Sequence, residues 1–244
     1  TLRLGCDSDH PASSSTERIV EQTTCRSLRG HSGTVYSAVF LPGDRHIVST
    51  SEDTTVRIWD KENGAGLSVL NGHLYPVWCA ASDCIGVNFV TGSMDRTARL
   101  WRPELAYPLR VFVGHEQDVD CVSFHPNCYY IVTGSCDRTV RLWSVTEGRC
   151  VRVLIGSKGA VSNVQISPCG RFAASSGEDK KIRIWDLAQG KLMKDLKGHT
   201  DTVTCLTWWD SRMLCTAGMD GTIKVSYSKR FFSSVFLKKS LLCR

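Results

Sequence analysis

Gly-His pairs stand at Gly30-His31, Gly72-His73, Gly114-His115 and Gly198-His199. The first three are 42 residues apart, and the last lies 84 beyond the third. Gly156-Ser157 holds the missing place in register, without the histidine. Trp59, Trp101, Trp143 and Trp185 keep the same step, each six residues after an aspartate: Asp53, Asp95, Asp137 and Asp179. Asp220 continues the series and predicts Trp at position 226, where Ser226 stands. A fixed period of about 40 residues marks a chain made of one supersecondary unit, whose apolar faces are buried only against its own copies.

Inside each unit the hydrophobic period is 2, not 3.6. "TVRIW", "TARLW", "TVRLW" and "KIRIW" alternate apolar and polar side chains, and "HIVSTS", "YIVTGS" and "MLCTAG" are β-branched or small. These read as strands of about five residues. "LPGD", "HPNC" and "SPCG" mark the first turn of a unit, and the Asp-x pairs suit a short hairpin turn later in it. No helix is expected between 30 and 225. Four short strands per unit, with Gly-His and Trp-Asp signatures, describe one blade of a β-propeller. Residues 30–225 resemble the WD40 family, although at the repeat's tryptophan position the Trp-Asp dipeptide survives only at Trp59-Asp60 and Trp185-Asp186. The expected fold is therefore all-β: a WD40 β-propeller with five recognisable blades of an incomplete ring that began with seven. Within 1–29, Thr1–Leu4 read as the third strand of a preceding blade, 6–24 as a polar loop and 25–28 as an outer strand. Residues 226–244 read as a disordered basic and aromatic tail, from a splicing or reading-frame event or an unspliced gene model that replaced the last repeat, with a genuine membrane-surface or nuclear-targeting tail as the alternatives.

The net charge of +6 invites a nucleic-acid reading. Lys229, Arg230, Lys238, Lys239 and Arg244 account for five of the 30 basic residues, so what remains is 25 basic against 24 acidic, a net of +1. That is no footprint of a phosphate-binding domain. Nor is any apolar run long enough to span a bilayer. The 12 cysteines include no CxxC pair, and most His and Cys residues occupy repeat positions, so no metal site and no cofactor are expected. Cys79, Cys121 and Cys205 share one repeat position and read as small buried core residues, reduced as in an intracellular protein.

Four repeats carry histidine, hydroxyl and aspartate together: His31, Ser49 and Asp53; His73, Thr91 and Asp95; His115, Thr133 and Asp137; His199, Thr216 and Asp220. A Ser-His-Asp set suggests nucleophilic catalysis. No enzyme needs the set four times, and threonine replaces serine in three, so no catalytic residue is assigned. The WD40 resemblance implies instead a structural tetrad. Aspartate accepts from histidine, histidine bonds the hydroxyl, and the hydroxyl meets the indole N–H of Trp59, Trp101 or Trp143. The fourth repeat keeps Ser175, Asp179 and Trp185 but lacks the histidine, and the fifth lacks the tryptophan. These two are expected to be the looser blades. His125 in "FHPN" reads as a turn residue.

"GHLYPVWC" (Gly72–Cys79), the stretch Tyr107–Ser144 and "LKGHTDTVTCL" (Leu196–Leu206) go beyond the general repeat. They are similar to the propeller of the TATA-box-binding-protein-associated factor 5 family and its 5-like branch. That resemblance implies a non-enzymatic nuclear scaffold of TFIID or SAGA-type co-activators, packed against histone-fold sister subunits, with no small-molecule substrate. The family's N-terminal dimerisation and LisH regions are not seen, which suits a fragment. Two other classes stay open: a ubiquitin-ligase substrate receptor, and a signalling or trafficking propeller. Many such receptors carry Arg three residues after the Trp, where this chain has Glu62, Glu104, Thr146 and Ala188.

In a propeller, residues just after each histidine and just before each hairpin aspartate lie on one face. Register puts Tyr36, Glu52, Trp78, Met94, Asp118, Asp120 and Glu178 there. Tyr36, Trp78 and Met94 make an aromatic and apolar anchor of the kind found at binding hot spots. The acids suit a basic or amphipathic protein segment and would repel DNA.

Overall fold

A computed structural model describes residues 26–43 and 46–227, and no helix occurs among them. Every sheet is antiparallel and joins strands consecutive in sequence. The first holds β1 (Val35–Phe40), β2 (His46–Ser51), β3 (Val56–Asp60) and β4 (Gly66–Leu70). The second holds β5 (Val77–Ser82), β6 (Phe89–Ser93), β7 (Thr97–Trp101) and β8 (Arg110–Val113). The third holds β9 (Val119–Phe124), β10 (Tyr130–Ser135), β11 (Thr139–Ser144) and β12 (Cys150–Ile155). The fourth holds β13 (Val161–Ile166), β14 (Phe172–Gly177), β15 (Lys181–Asp186) and β16 (Lys191–Lys197). The fifth has three strands: β17 (Val203–Asp210), β18 (Met213–Gly218) and β19 (Ile223–Tyr227). The inner strands β1, β5, β9, β13 and β17 pack against one another in chain order, the arrangement of propeller blades.

The core lies at the seams between sheets rather than at one centre. Val48, Val56, Ile58 and Leu70 of the first sheet cluster with Val77, Phe89 and Trp101 of the second. Val132, Leu142 and Leu154 of the third meet Val161, Val164 and Trp185 of the fourth. Each such side chain contributes roughly 1.5–3 kcal/mol by leaving water. Close approach at a seam explains Gly134: a Cβ there would lie 2.7 Å from Val161 of the next inner strand.

The hairpin turns between second and third strands show how the repeat is built. The residue after each aspartate, not the aspartate, takes the left-handed conformation: Thr54, Arg96, Arg138 and Lys180 at φ 66–68°, and Gly221 at 69°. The carboxylate makes this turn possible by holding the backbone beyond it. Asp95 Oδ1, for example, accepts from Thr97 N at 3.0 Å and from its hydroxyl at 2.5 Å.

Several expectations need correction. Cys121 is a buried core residue as expected and Cys79 is half-buried against the core, their thiols directed to the carbonyls of Val161 and Val119 on the next inner strand. Cys205 is exposed instead of core, because among the described residues no further inner strand covers β17. Residues 26–28 form no strand. They lie alongside Gly64 through Arg26 and Leu28, but among the described residues there is no third strand of a preceding sheet to pair with. Ser226 and Tyr227, assigned by sequence to the tail, complete β19 by pairing with Leu214 and Met213. The remnant strand and loop of 1–24 and the tail from 228 lie outside the described residues.

Candidate functional site

Three tetrads have one geometry. In the second sheet Trp101 Nε1–H donates to Thr91 Oγ1 at 2.8 Å, the Thr91 hydroxyl lies 2.8 Å from His73 Nε2, and His73 Nδ1 lies 2.7 Å from Asp95 Oδ2. The third repeats this with Trp143, Thr133, His115 and Asp137 at 2.8, 2.7 and 2.7 Å. The first does so with Trp59, Ser49, His31 and Asp53 at 2.8, 2.7 and 2.9 Å. A hydroxyl has a single proton. Since its oxygen accepts from the indole, that proton goes to Nε2, and the imidazole carries its own on Nδ1, facing the carboxylate. The set thereby ties the third strand to the second, the second to the loop before the first, and that loop to the hairpin turn.

The electrostatics agree with a neutral imidazole. Burial holds His73 and His115 below their ordinary 6.5 against the opposing pull of Asp95 and Asp137. For Asp95 and Asp137 burial alone would raise the pKa, but bonds from His73 and Thr97, and from Thr139 and His115, outweigh it and bring both down to about 2. Ser49, Thr91 and Thr133 are buried, so their hydroxyls are closed to a substrate.

The fourth blade is not left open by the loss of histidine. Arg183, 2% exposed, occupies the gap: Nη1 donates to Ser157 Oγ at 3.0 Å and Nη2 to Asp179 Oδ2 at 2.5 Å. Trp185 Nε1 still donates to Ser175 Oγ at 2.8 Å. Arginine stands at this place in the first three repeats too, where Arg57, Arg99 and Arg141 each keep a buried Nε without a hydrogen-bond partner among the described residues. Arg99 Nη2 also lies 3.6 Å from Asp95 beside His73, but where histidine is absent Arg183 closes to 2.5 Å from Asp179, a signal present in the sequence as Ser157 opposite Arg183. In the fifth blade His199 keeps Thr216 at 3.0 Å and Asp220 at 3.0 Å. Without an indole, Thr216 Oγ1 turns to the Lys224 carbonyl at 3.4 Å.

Above the tetrads, Tyr36 on β1 and Trp78 on β5 meet edge to face, their ring centroids 4.6 Å apart. Tyr36 and Met94 are 42% and 41% exposed. Trp78 is half-buried, and its Nε1 has no hydrogen-bond partner among the described residues. Met94 and Asp118 line one hollow with Tyr75, Asp95 and Arg96. Asp120 accepts from the Cys136 thiol at 3.0 Å. Its burial, with the charges of Asp118, Glu178 and Asp137, overrides that bond and raises its carboxyl to about 6. Glu52 and Glu178 are partly committed to their own loops, through Thr34 and through Ala160 N. His125 is a turn residue that also links blades. Asn127 N donates to its Nδ1, and its Nε2 reaches the Gly170 carbonyl of the next blade at 2.8 Å.

Comparison with known proteins fits this repeat. Residues 22–60, 64–102, 106–144, 148–186 and 190–225 match the family model "WD domain, G-beta repeat". The chain is similar to Transcription initiation factor TFIID subunit 5 of Encephalitozoon cuniculi, 38% identical over 63 residues, which is 26% of this chain and 11% of that protein. It is similar to an F-box protein of Saccharomyces cerevisiae, 40% identical over 55 residues, 22% of this chain and 9% of the relative. A nuclear distribution protein of Yarrowia lipolytica is 42% identical over 55 residues, 22% of this chain and 13% of the relative. The matched stretches thus span about a tenth of each curated relative. With five matching repeats covering most of its length, the chain belongs to the WD-repeat family.

Proposed function

We propose that this chain is a non-enzymatic scaffold segment of a nuclear transcription co-activator assembly of the TFIID or SAGA type, which docks histone-fold sister subunits. The observation that carries the reading is the match to a TFIID subunit 5 together with the phrases "YPVW", "FHPN" and "TGSCDRTVRLW", which exceed what the repeat requires. The tetrads are taken up in holding strands together, which leaves the face above them for a partner. Tyr36, Trp78 and Met94 supply an apolar anchor there, and Asp118 and Asp120 an acidic border that favours a basic or amphipathic segment.

The likeness to an F-box protein keeps a ubiquitin-ligase receptor as the second reading. Glu62, Glu104, Thr146 and Ala188, where such receptors place Arg, speak against it. Affinity purification of the tagged chain, with and without Trp78→Ala and the pair Asp118→Ala and Asp120→Ala, separates the readings. Stoichiometric histone-fold subunits, lost in either variant while folding is kept, are expected. A cullin adaptor in their place would overturn the assignment. Retention of the subunits by both variants would move the docking surface elsewhere on the blades.

A further inference from the structure

On the opposite face, the β5–β6 turn of the second blade meets the β9–β10 turn of the third. Cys84 Sγ and Cys128 Sγ lie 3.1 Å apart there, and both thiols are free. Each residue departs from the repeat at its own position. Pro42, Pro126 and Pro168 occupy the place of Cys84 in the first, third and fourth blades. Gly86 and Gly170 stand 42 residues either side of Cys128, both with positive φ, 83° and 76°. Cys128 adopts φ 60° in that same position, which disfavours any side chain with a Cβ. Two independent departures from the repeat therefore bring two thiols to one point.

Both turns are held firmly. Asp83 accepts from the backbone N–H groups of Ile85, Gly86, Val87 and Asn88 at 2.5–3.2 Å. Cys128 N donates to the His125 carbonyl at 2.8 Å, and His125 is tied to the fourth blade. Cys84 Sγ also reaches the Pro126 carbonyl at 3.3 Å, across the seam. A disulfide needs its sulfurs about 2.05 Å apart, so closure asks for about 1 Å of approach, within reach of side-chain rotation. Cys84 is exposed and open to a reagent, while Cys128 is partly covered.

We propose that Cys84 and Cys128 form an oxidation site: a latch that closes as an inter-blade disulfide under a low-molecular-weight disulfide such as oxidised glutathione. The Cys84 thiolate attacks one glutathione sulfur, forming a mixed disulfide and expelling one glutathione thiolate. The Cys128 thiolate then attacks Cys84 Sγ and expels the second. Two protein thiols are oxidised, one glutathione disulfide is reduced to two thiols, and the two protein protons end on them. The bond closes a loop of the unfolded chain between residues 84 and 128 and so stabilises the fold.

The test equilibrates the full chain in glutathione buffers of graded ratio, traps free thiols, and maps linked peptides by mass spectrometry, in native buffer and in urea. The Cys84–Cys128 peptide is expected in native buffer at a glutathione ratio more than about tenfold more reducing than in urea. Melting in the oxidised buffer should rise by several degrees in the parent chain and not in Cys84→Ser or Cys128→Gly, the latter restoring the residue of the neighbouring repeats. Glutathione retained on Cys84 without a link would overturn the proposal. So would a link no easier than in urea, or an equal rise in melting for Cys128→Gly.

Discussion

A histidine that donates to a carboxylate and accepts from a hydroxyl has no room for a second proton. Removing it leaves two buried partners under-satisfied, so His115→Ala is expected to cost about 1–3 kcal/mol in urea unfolding, through Thr133 and Asp137. The same chemistry sets the pH response. Native His73 and His115 resist the proton that the unfolded chain takes up near 6.5, so their contribution is complete above that value and declines as pH falls below it. Native Asp95 and Asp137 keep their charge down to about 2 whereas the unfolded chain protonates near 3.8, so stability falls further across that interval. Asp120 acts in the opposite sense: its native carboxyl holds a proton up to about 6 and the unfolded one loses it near 3.8, so it removes stability as pH rises between them. Asp120→Asn should therefore be more stable than the parent at neutral pH and lose that advantage in acid. Denaturation midpoints of the two proteins over a pH series read this directly.

At the level of the strand and turn, the fourth blade offers the sharpest comparison. Arg183→Ala strips Asp179 of a buried partner and is expected to cost about 3 kcal/mol or more. Arg141→Ala in the third blade, where histidine already serves the aspartate, should cost under about 1 kcal/mol. Adding Ser157→His to Arg183→Ala should recover part of the loss, and a set of urea melts on the four proteins checks it. Strands and tetrads were legible in the sequence because a 42-residue step and a period of 2 repeat the same instruction in every blade. Arg183 was legible only in part: an arginine stands at that place in four repeats, and what distinguishes this one is Ser157, the residue standing in for histidine on another segment of the same blade. The left-handed residues after each aspartate were hidden: Thr54, Arg96, Arg138 and Lys180 are unlike in chemistry, and only the carboxylate before them fixes their backbone. The Cys84–Cys128 contact escaped the register because it joins unlike positions, 44 residues apart rather than 42.

Across the whole molecule, burial falls from the middle blades to the outer ones. The inner strand β9 is largely covered, whereas Val35 and Phe40 on β1 and Trp209 on β17 are exposed. Cys121 and Cys205 occupy the same repeat position in these two settings. A maleimide probe is expected to label Cys205 quickly in the native chain and Cys121 only on opening, and equal rates would contradict the arrangement of seams. Among the described residues the bonds that cross those seams join adjacent blades, among them Cys121 Sγ to the Val161 carbonyl, His125 to Gly170, the Ser162 hydroxyl to the Val203 carbonyl, and Trp208 Nε1 to the Gln165 carbonyl. Mechanically, such a chain is a row of links and not a single knot. Pulled by its two ends, it would yield from an outer blade inward, each rupture releasing about 140–150 Å of extended chain. A closed bond between Cys84 and Cys128 would withhold the chain between them from extension, so the second and third blades together would release about 140 Å, half of what two unlinked blades give.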